Sequence, residues 1–296
     1  MKVNVCVCTY QRPSVDKALR SIDAQAVPDG VTFDIIVADN DEAPSARGVV
    51  EAFAATARHP VRYIHAASRN ISIARNACLD AADGEWVAYI DDDEWAEEGW
   101  LSALLKAAQE GGHDAVFGPV LAMYPDDAPA WMKKSQIHST FPRTSGGVVM
   151  TGHSGNCLMR PCAPALQGQR FLVDKGRTGG EDTEFFSRIR ERGGRLGMAH
   201  DAIVHEALPA ERISLAWLQR RWLRAGITRA RHVEVAVDGL ARYAAIAMHS
   251  AKVVACLGLA LLTLPDPVRS NVWRVKAAYY TGMVQGAMNR TEDEHY

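Results

Sequence analysis

The 296-residue chain is 48% hydrophobic and 23% charged, an ordinary globular composition that excludes disordered and fibrous classes. Its formal net charge of -2 gives no overall pull toward nucleic acid, which is therefore not expected as a partner. The six cysteines (Cys6, Cys8, Cys78, Cys157, Cys162 and Cys256) form no CxxC pair and no zinc-like spacing, and fit a reducing compartment better than a disulfide framework.

The chain opens with "VNVCVCTY" at 3–10, a strand in which Cys6 and Cys8 share one face as small buried hydrophobes. The one-lysine, alternating start does not look like a signal peptide. A helix is expected over 14–25, with Ser14 as N-cap and Ala18, Leu19 and Ile22 on one face. "FDIIVADN" at 33–40 is a second strand, 43–57 a helix, "VRYIHA" at 61–66 a third strand, and 71–82 a helix. "EWVAYI" at 85–90 is the fourth strand, followed by an acidic run, a helix over 97–110 and a fifth strand, "DAVFGPVLAMY", at 114–124.

Strands alternating with helices predict an α/β fold, a mostly parallel sheet with helices on both faces, because parallel strands need crossover connections. Ligands of such sheets bind beyond the carboxyl ends of the strands. "CTYQR", "ADND" and "DDDE" all stand at such ends, so three clusters far apart in sequence should meet at one rim. Neither GxGxxG nor GxxxxGK[ST] occurs there, which weakens dinucleotide and P-loop readings.

Asp91, Asp92, Asp93 and Glu94 follow the fourth strand without a break. Carboxylates so close repel one another unless a cation sits among them, and a hard divalent ion with oxygen ligands, Mn²⁺ or Mg²⁺, is the economical answer. If the segment stays extended, Asp91 and Asp93 face the pocket while Asp92 and Glu94 orient neighbours or meet solvent. The alternative is that the run caps the helix starting near Glu97.

The ordered set "VCVCTYQRP", "IIVADND", "NISIARNACLDAA", "VAYIDDDEW", "GGEDTEFF" at 179–186 and "VHE" at 204–206 resembles the family 2 glycosyltransferases, whose GT-A fold is Rossmann-like. The resemblance is greatest to the succinoglycan-type exopolysaccharide glucosyltransferases of bacteria, and it covers about residues 1–210. It implies a nucleotide-sugar-binding catalytic domain over 1–210 and a helical C-terminal extension over 211–296. It further implies that Thr9, Tyr10, Arg12 and Asp39 contact the nucleoside, with Arg75 and Asn76 near the base. In the Asp-x-Asp motif, Asp91 lies toward ribose and metal, Asp93 ligates the metal, and Asp92 is grouped with the nucleotide-sugar contacts. Asp182 matches the general base, and His205 a third metal ligand.

The implied activity is inverting, metal-dependent transfer of a hexose, glucose from UDP-glucose, to a hydroxyl of a lipid-linked oligosaccharide acceptor. Each residue also has a plainer role open to it: Asp39 and Asp182 as helix caps, Glu181 merely solvated, and the two arginines as surface ion pairs. His153 and Asn156 are weaker candidates for sugar hydroxyls. Trp100 and Trp131 are candidates for sugar stacking, Trp131 being favoured because it lies in a Pro-rich loop outside any helix. A nucleotidyltransferase or a silent nucleotide-sugar-binding subunit would share much of this rim.

Residues 212–232 hold six arginines and no acid, with Leu215, Leu218 and Trp222 at helical spacing, a basic amphipathic helix suited to an anionic membrane surface. Leu218 stands where the Gln of the processive Gln-x-x-Arg-Trp motif would be, which argues against processive polymerisation. The apolar stretch at 253–264 is shorter than the ~20 residues of a spanning helix and reads as a buried or interfacial helix, with a spanning helix as the lesser alternative. A cytoplasmic protein held at the inner face of the membrane is the resulting expectation.

Overall fold

A computed structural model describes residues 1–234 and 240–288. In chain order the elements are β1 (Lys2–Thr9), α1 (Val15–Asp23), β2 (Thr32–Asp39), α2 (Arg47–Ala54), β3 (Val61–His65), α3 (Ile71–Ala81), β4 (Trp86–Asp91) and β5 (Glu94–Ala96). They continue with α4 (Trp100–Glu110), β6 (Ala115–Phe117), β7 (Val120–Met123), α5 (Ala130–Ser135), β8 (Arg143–Ser145), β9 (Val148–Thr151), β10 (Asn156–Met159) and α6 (Glu181–Glu191). The last are β11 (Leu196–Met198), β12 (Val204–Ala207), α7 (Leu215–Glu234), α8 (Leu240–Leu262) and α9 (Pro267–Ala287).

A seven-stranded sheet in the order β11-β6-β10-β4-β1-β2-β3 forms the centre. Its pairings are parallel except around β10, which runs antiparallel to both β4 and β6. Along each strand alternate residues enter two cores. Val3, Val5, Val7, Ile35 and Val37 pack under α1, α2 and α4, while Cys6, Cys8, Ile36 and Ala38 pack under α3 and α6. Both cysteines are buried free thiols, as their spacing predicts. Register then sets the rim, because Thr9 is level with Asp39, Cys8 with Asp91, and Asp39 with His65.

Several expectations change. Ser14 stands before α1, but its side chain makes no cap bond. The single strand expected at 114–124 is two: β6 stays in the large sheet, while β7 joins β5 and β12 in a separate three-stranded sheet. Asp92 and Asp93 form a turn between β4 and β5 instead of continuing an extended segment. With β5 interposed, α4 begins after Gly99, so the acidic run does not cap it.

The chain divides into two compact units, one made of Met1–Ala122 with Ser139–Ala207, the other of Met123–His138 with the described residues from Leu208 onward. Residues 235–239 and 289–296 of the expected extension lie outside the described residues. In the second unit α9 begins on a strong stop-start signal: Asp266 accepts from the Val268 and Arg269 N–H groups at 3.0 and 3.2 Å, and Pro267 takes the first helical position. Met132, Leu218 and Val275 form its small core, and Trp222 meets Tyr279 edge-on. Trp131 is on α5 and packs at the edge of that core, contrary to its expected loop setting. The arginine-rich α7 is mostly half-buried, whereas α8 is the exposed apolar element: it is long and apolar enough to cross a membrane and only 17% of that stretch is buried. The buried reading of 253–264 is thereby overturned.

Candidate active site

The three strand-end clusters meet. The Asn40 N–H donates to the Thr9 carbonyl at 2.8 Å, and the Thr9 hydroxyl donates to Asp92 at 2.8 Å, with the Tyr10 N–H on the same oxygen at 3.3 Å. Gln11 donates to Asp41, and Arg12 reaches Asp93 at 2.9 Å and Asp92 at 3.7 Å. Gln11 and Arg69 have φ of 51° and 47°, left-handed backbone that a side chain seldom adopts outside turns and functional loops. The Arg69 guanidinium lies 6.0 Å over the Tyr10 ring, so both strained residues border the rim.

Several polar residues of this rim are held by the backbone. Asp39, fully buried, accepts from the Asp41 and Ala46 N–H groups at 3.1 and 2.8 Å and from the Tyr63 hydroxyl at 2.8 Å, which fixes the turn into α2. Asn70 caps α3 through the Ser72 and Ile73 N–H groups and donates to the Val173 carbonyl. Asn76 exchanges two 2.9 Å bonds with the Phe171 backbone, so both ends of its amide clamp that loop.

Arg75 joins the acidic run to the "GED" segment. It is buried, ion-paired with Glu181, 3.6 Å from Asp91, and stacked over Phe171. Burial disfavours the charged guanidinium, but Glu181, Asp91 and Asp182 outweigh it and raise its pKa. Glu181 is buried against this arginine instead of solvated, a correction to the sequence reading. Gly180, at φ 83°, turns the chain into α6 so that Glu181 and Asp182 head the helix. Asp182 is half-buried, and the Thr183 N–H donates to it at 2.6 Å. Burial raises its pKa, with Arg75 opposing.

Gly155 brings the chain before β10 against the acidic run: a Cβ there would sit 2.8 Å from Glu94 and 2.9 Å from Asp91. Glu94 is buried and accepts from the Asp91 N–H at 3.1 Å. Asp91, by contrast, keeps a side chain that is 42% exposed. Asp92 and Glu94 each accept from neighbouring groups, and neither is open to solvent.

Charge decides what the site can hold. Asp91, Asp92, Asp93, Glu94, Glu181 and Asp182 are six carboxylates, and the guanidiniums paired with them are Arg12 and Arg75. Burial raises the pKa of Asp91 and Glu94, and burial with the Asp93 charge pushes Asp92 up to about 7. That surplus of oxygen ligands and negative charge fits a hard divalent cation. Among the described residues no three His, Cys, Asp or Glu side chains converge to hold one, so a cation here relies on one or two carboxylates plus substrate phosphates. His205 lies with Nε2 2.6 Å from Glu97 and its ring stacked on Trp95 at 5.5 Å.

Asn156 and Trp100 prove to be framework. Asn156 accepts from the Trp100 indole N–H at 2.8 Å and donates to the Pro119 and Ala202 carbonyls at 2.9 and 2.7 Å, with both residues fully buried. His153 is pushed down to about 4 by burial and Arg75. The residues that sequence reasoning missed are Glu181 and Gly155. For Glu181 the available signal was its place directly after two glycines and beside Asp182; nothing in the sequence marks the other.

The sequence profile described as "Glycosyl transferase family 2" matches residues 4–163. The chain belongs to this family, and it is a glycosyltransferase. It is 40% identical over 296 residues, all of this chain and 96% of the relative, to the succinoglycan biosynthesis protein ExoM of Rhizobium meliloti (strain 1021). In fold it is similar to the mannosyltransferase PcManGT of Pyrobaculum calidifontis, solved with GDP-Man and Mn²⁺, at a TM-score of 0.65 and 20% identity over 98% of this chain and 88% of that one. S. aureus TarS 1-349 in complex with UDP-GlcNAc is similar at a TM-score of 0.55 and 16% identity, over 98% and 93%. These likenesses place the mixed sheet in the GT-A class.

Proposed function

We propose that this glycosyltransferase is inverting and metal-dependent, and moves glucose from UDP-glucose onto a hydroxyl of a growing lipid-linked oligosaccharide in exopolysaccharide assembly at the inner face of the membrane. The whole-length similarity to a succinoglycan biosynthesis protein supports the pathway class. The observation that carries the site assignment is Arg75, whose guanidinium contacts both the Asp-x-Asp run and the segment headed by Asp182.

The chemistry needs a proton taken from the acceptor hydroxyl and charge neutralised on the departing diphosphate. Asp182 is the proton acceptor: the Thr183 N–H orients its carboxylate and burial raises its basicity. Asp91 and Asp93 are the carboxylates that would hold Mn²⁺ or Mg²⁺, and when bound the cation supplies Lewis-acid stabilisation of the leaving diphosphate. Thr9 and Tyr10 hold Asp92 in place, and Arg12 orients Asp93. A single base on the acceptor side gives inversion, so an α-linked donor yields a β-glycoside.

The test is UDP release from a panel of UDP-sugars, with Mn²⁺ and a bacterial lipid extract as acceptor. UDP-glucose is expected to be turned over, and Asp182→Asn to abolish transfer while retaining UDP-sugar binding. Release of inorganic pyrophosphate, or turnover surviving in Asp182→Asn, overturns the assignment.

A further inference from the structure

We infer that α8 lies flat in the interface of an anionic bilayer, as an in-plane anchor and not as a spanning helix. The inference takes its membrane from the proposed function but none of its chemistry.

The residues at 253–265 carry no charge. Within this stretch and just past it, Val254, Leu257, Leu259, Leu261, Leu262 and Leu264 are all exposed, whereas Cys256 and Ala260 are buried. At 3.6 residues per turn the five exposed residues on α8, Val254, Leu257, Leu259, Leu261 and Leu262, sweep roughly 200° of the helix, against a narrow buried stripe. A protein groove or a partner helix covers a stripe; a fluid apolar phase covers an arc of this width. Lipid is the occupant that fits.

The partner helix sets the depth. Along α8 the Arg242 guanidinium donates to the Ala287 carbonyl, His249 stacks on Tyr280, and the Ser270 hydroxyl donates to the Ala260 carbonyl, so α9 runs antiparallel beside it. The exposed leucines therefore lie alongside the first turns of α9, which carry Asp266, Arg269, Arg274 and Lys276. Were α8 to span, α9 beside it would carry Arg274 and Lys276 into the hydrocarbon and take the Asp266–Arg269 ion pair, 3.4 Å apart, across to the far side. Burying the first two charges opposes that pose. Lying flat, α8 sinks its apolar arc ~5–10 Å while Arg242, Lys252, Arg269 and Lys276 stay at headgroup level, where anionic lipid attracts them.

The full-length protein is expected to float with phosphatidylglycerol-containing vesicles, and to lose roughly tenfold in partitioning for each of Leu257→Ser, Leu261→Ser and Leu262→Ser. These side chains are exposed, so thermal stability and UDP-sugar hydrolysis should not change. In a Cys162→Ser background, spin labels placed singly at 254, 257 and 261 should report one shallow depth. Undiminished flotation of the triple variant overturns the inference, as does a depth rising steadily from 254 through 257 to 261, or a dimer in vesicle-free solution that the leucine substitutions dissolve. Flotation and depth are read without turnover, so a failed transferase assay leaves this result standing.

Discussion

Arg75→Met tests whether one buried guanidinium holds the two halves of the site together. Arg75 and Glu181 side chains are each under a tenth exposed, so solvent barely screens the pair. Removing only the arginine leaves Glu181 buried and uncompensated, with Asp182 and Asp91 nearby as further negative charge. Breaking a buried pair in this way costs about 3–5 kcal/mol. For a chain of this size that lowers Tm by roughly 5–15 °C. The double variant Arg75→Met/Glu181→Leu removes both charges and should recover most of the loss, because desolvation and attraction nearly cancel in a buried pair. Thermal unfolding of wild type, both single variants and the double variant closes the cycle. A Tm for Arg75→Met within about 2 °C of wild type, or no recovery in the double variant, refutes the reasoning. In variants that remain folded at assay temperature, transfer should fall in the double variant as well, since Asp91 loses its only guanidinium contact among the described residues.

The Asp182 pKa is raised and the base must be ionised, so kcat should fall as pH drops, beginning above the ordinary aspartate range near ~4. A pH–rate profile still flat there contradicts this. Mn²⁺ together with UDP should raise Tm, by about 2.7 kcal/mol of stabilisation at a hundredfold excess over Kd, and Asp93→Asn should lose the shift while keeping the fold, as thermal unfolding with and without the ion will show. Asn156→Ala strands the Trp100 indole N–H and two buried carbonyls, and should cost about 2–4 kcal/mol in denaturant unfolding with no change in donor KM for the fraction that stays folded.

The strand-helix alternation up to residue 110 is legible because each strand there is an apolar run bounded by polar residues, and the rim follows because every strand of that series ends in its cluster at the same edge. What is not legible depends on partners distant in sequence. β5 is three residues long and exists by pairing Glu94–Ala96 with Val204–Glu206. "AVF" and "VLAM" share one apolar character, so nothing between them announces that β6 and β7 enter different sheets. Glu181 and Asp182 are adjacent and chemically alike; only the fold shows that the first is paired to Arg75 and the second held by the Thr183 N–H. For α8, composition shows an apolar helix, but whether its surface is covered depends on α9, which no periodicity in 253–264 reveals.

A division of labour separates the polar residues of the rim. Asp39, Asn70, Asn76 and Asn156 have their oxygen or amide atoms taken up by backbone N–H and C=O groups from segments up to 103 residues away. Residues so saturated set the positions of loops, and replacing them should act first on stability. Asp91 and Asp182 differ: the Asp91 side chain is 42% exposed, and Asp182 is half-buried with its fixed bond confined to the Thr183 N–H at a helix start. Carboxylates kept partly open, raised in pKa by burial and crowded by like charge are expensive for the folded state. The function proposed above uses that charge to meet a cation, a diphosphate and an acceptor hydroxyl.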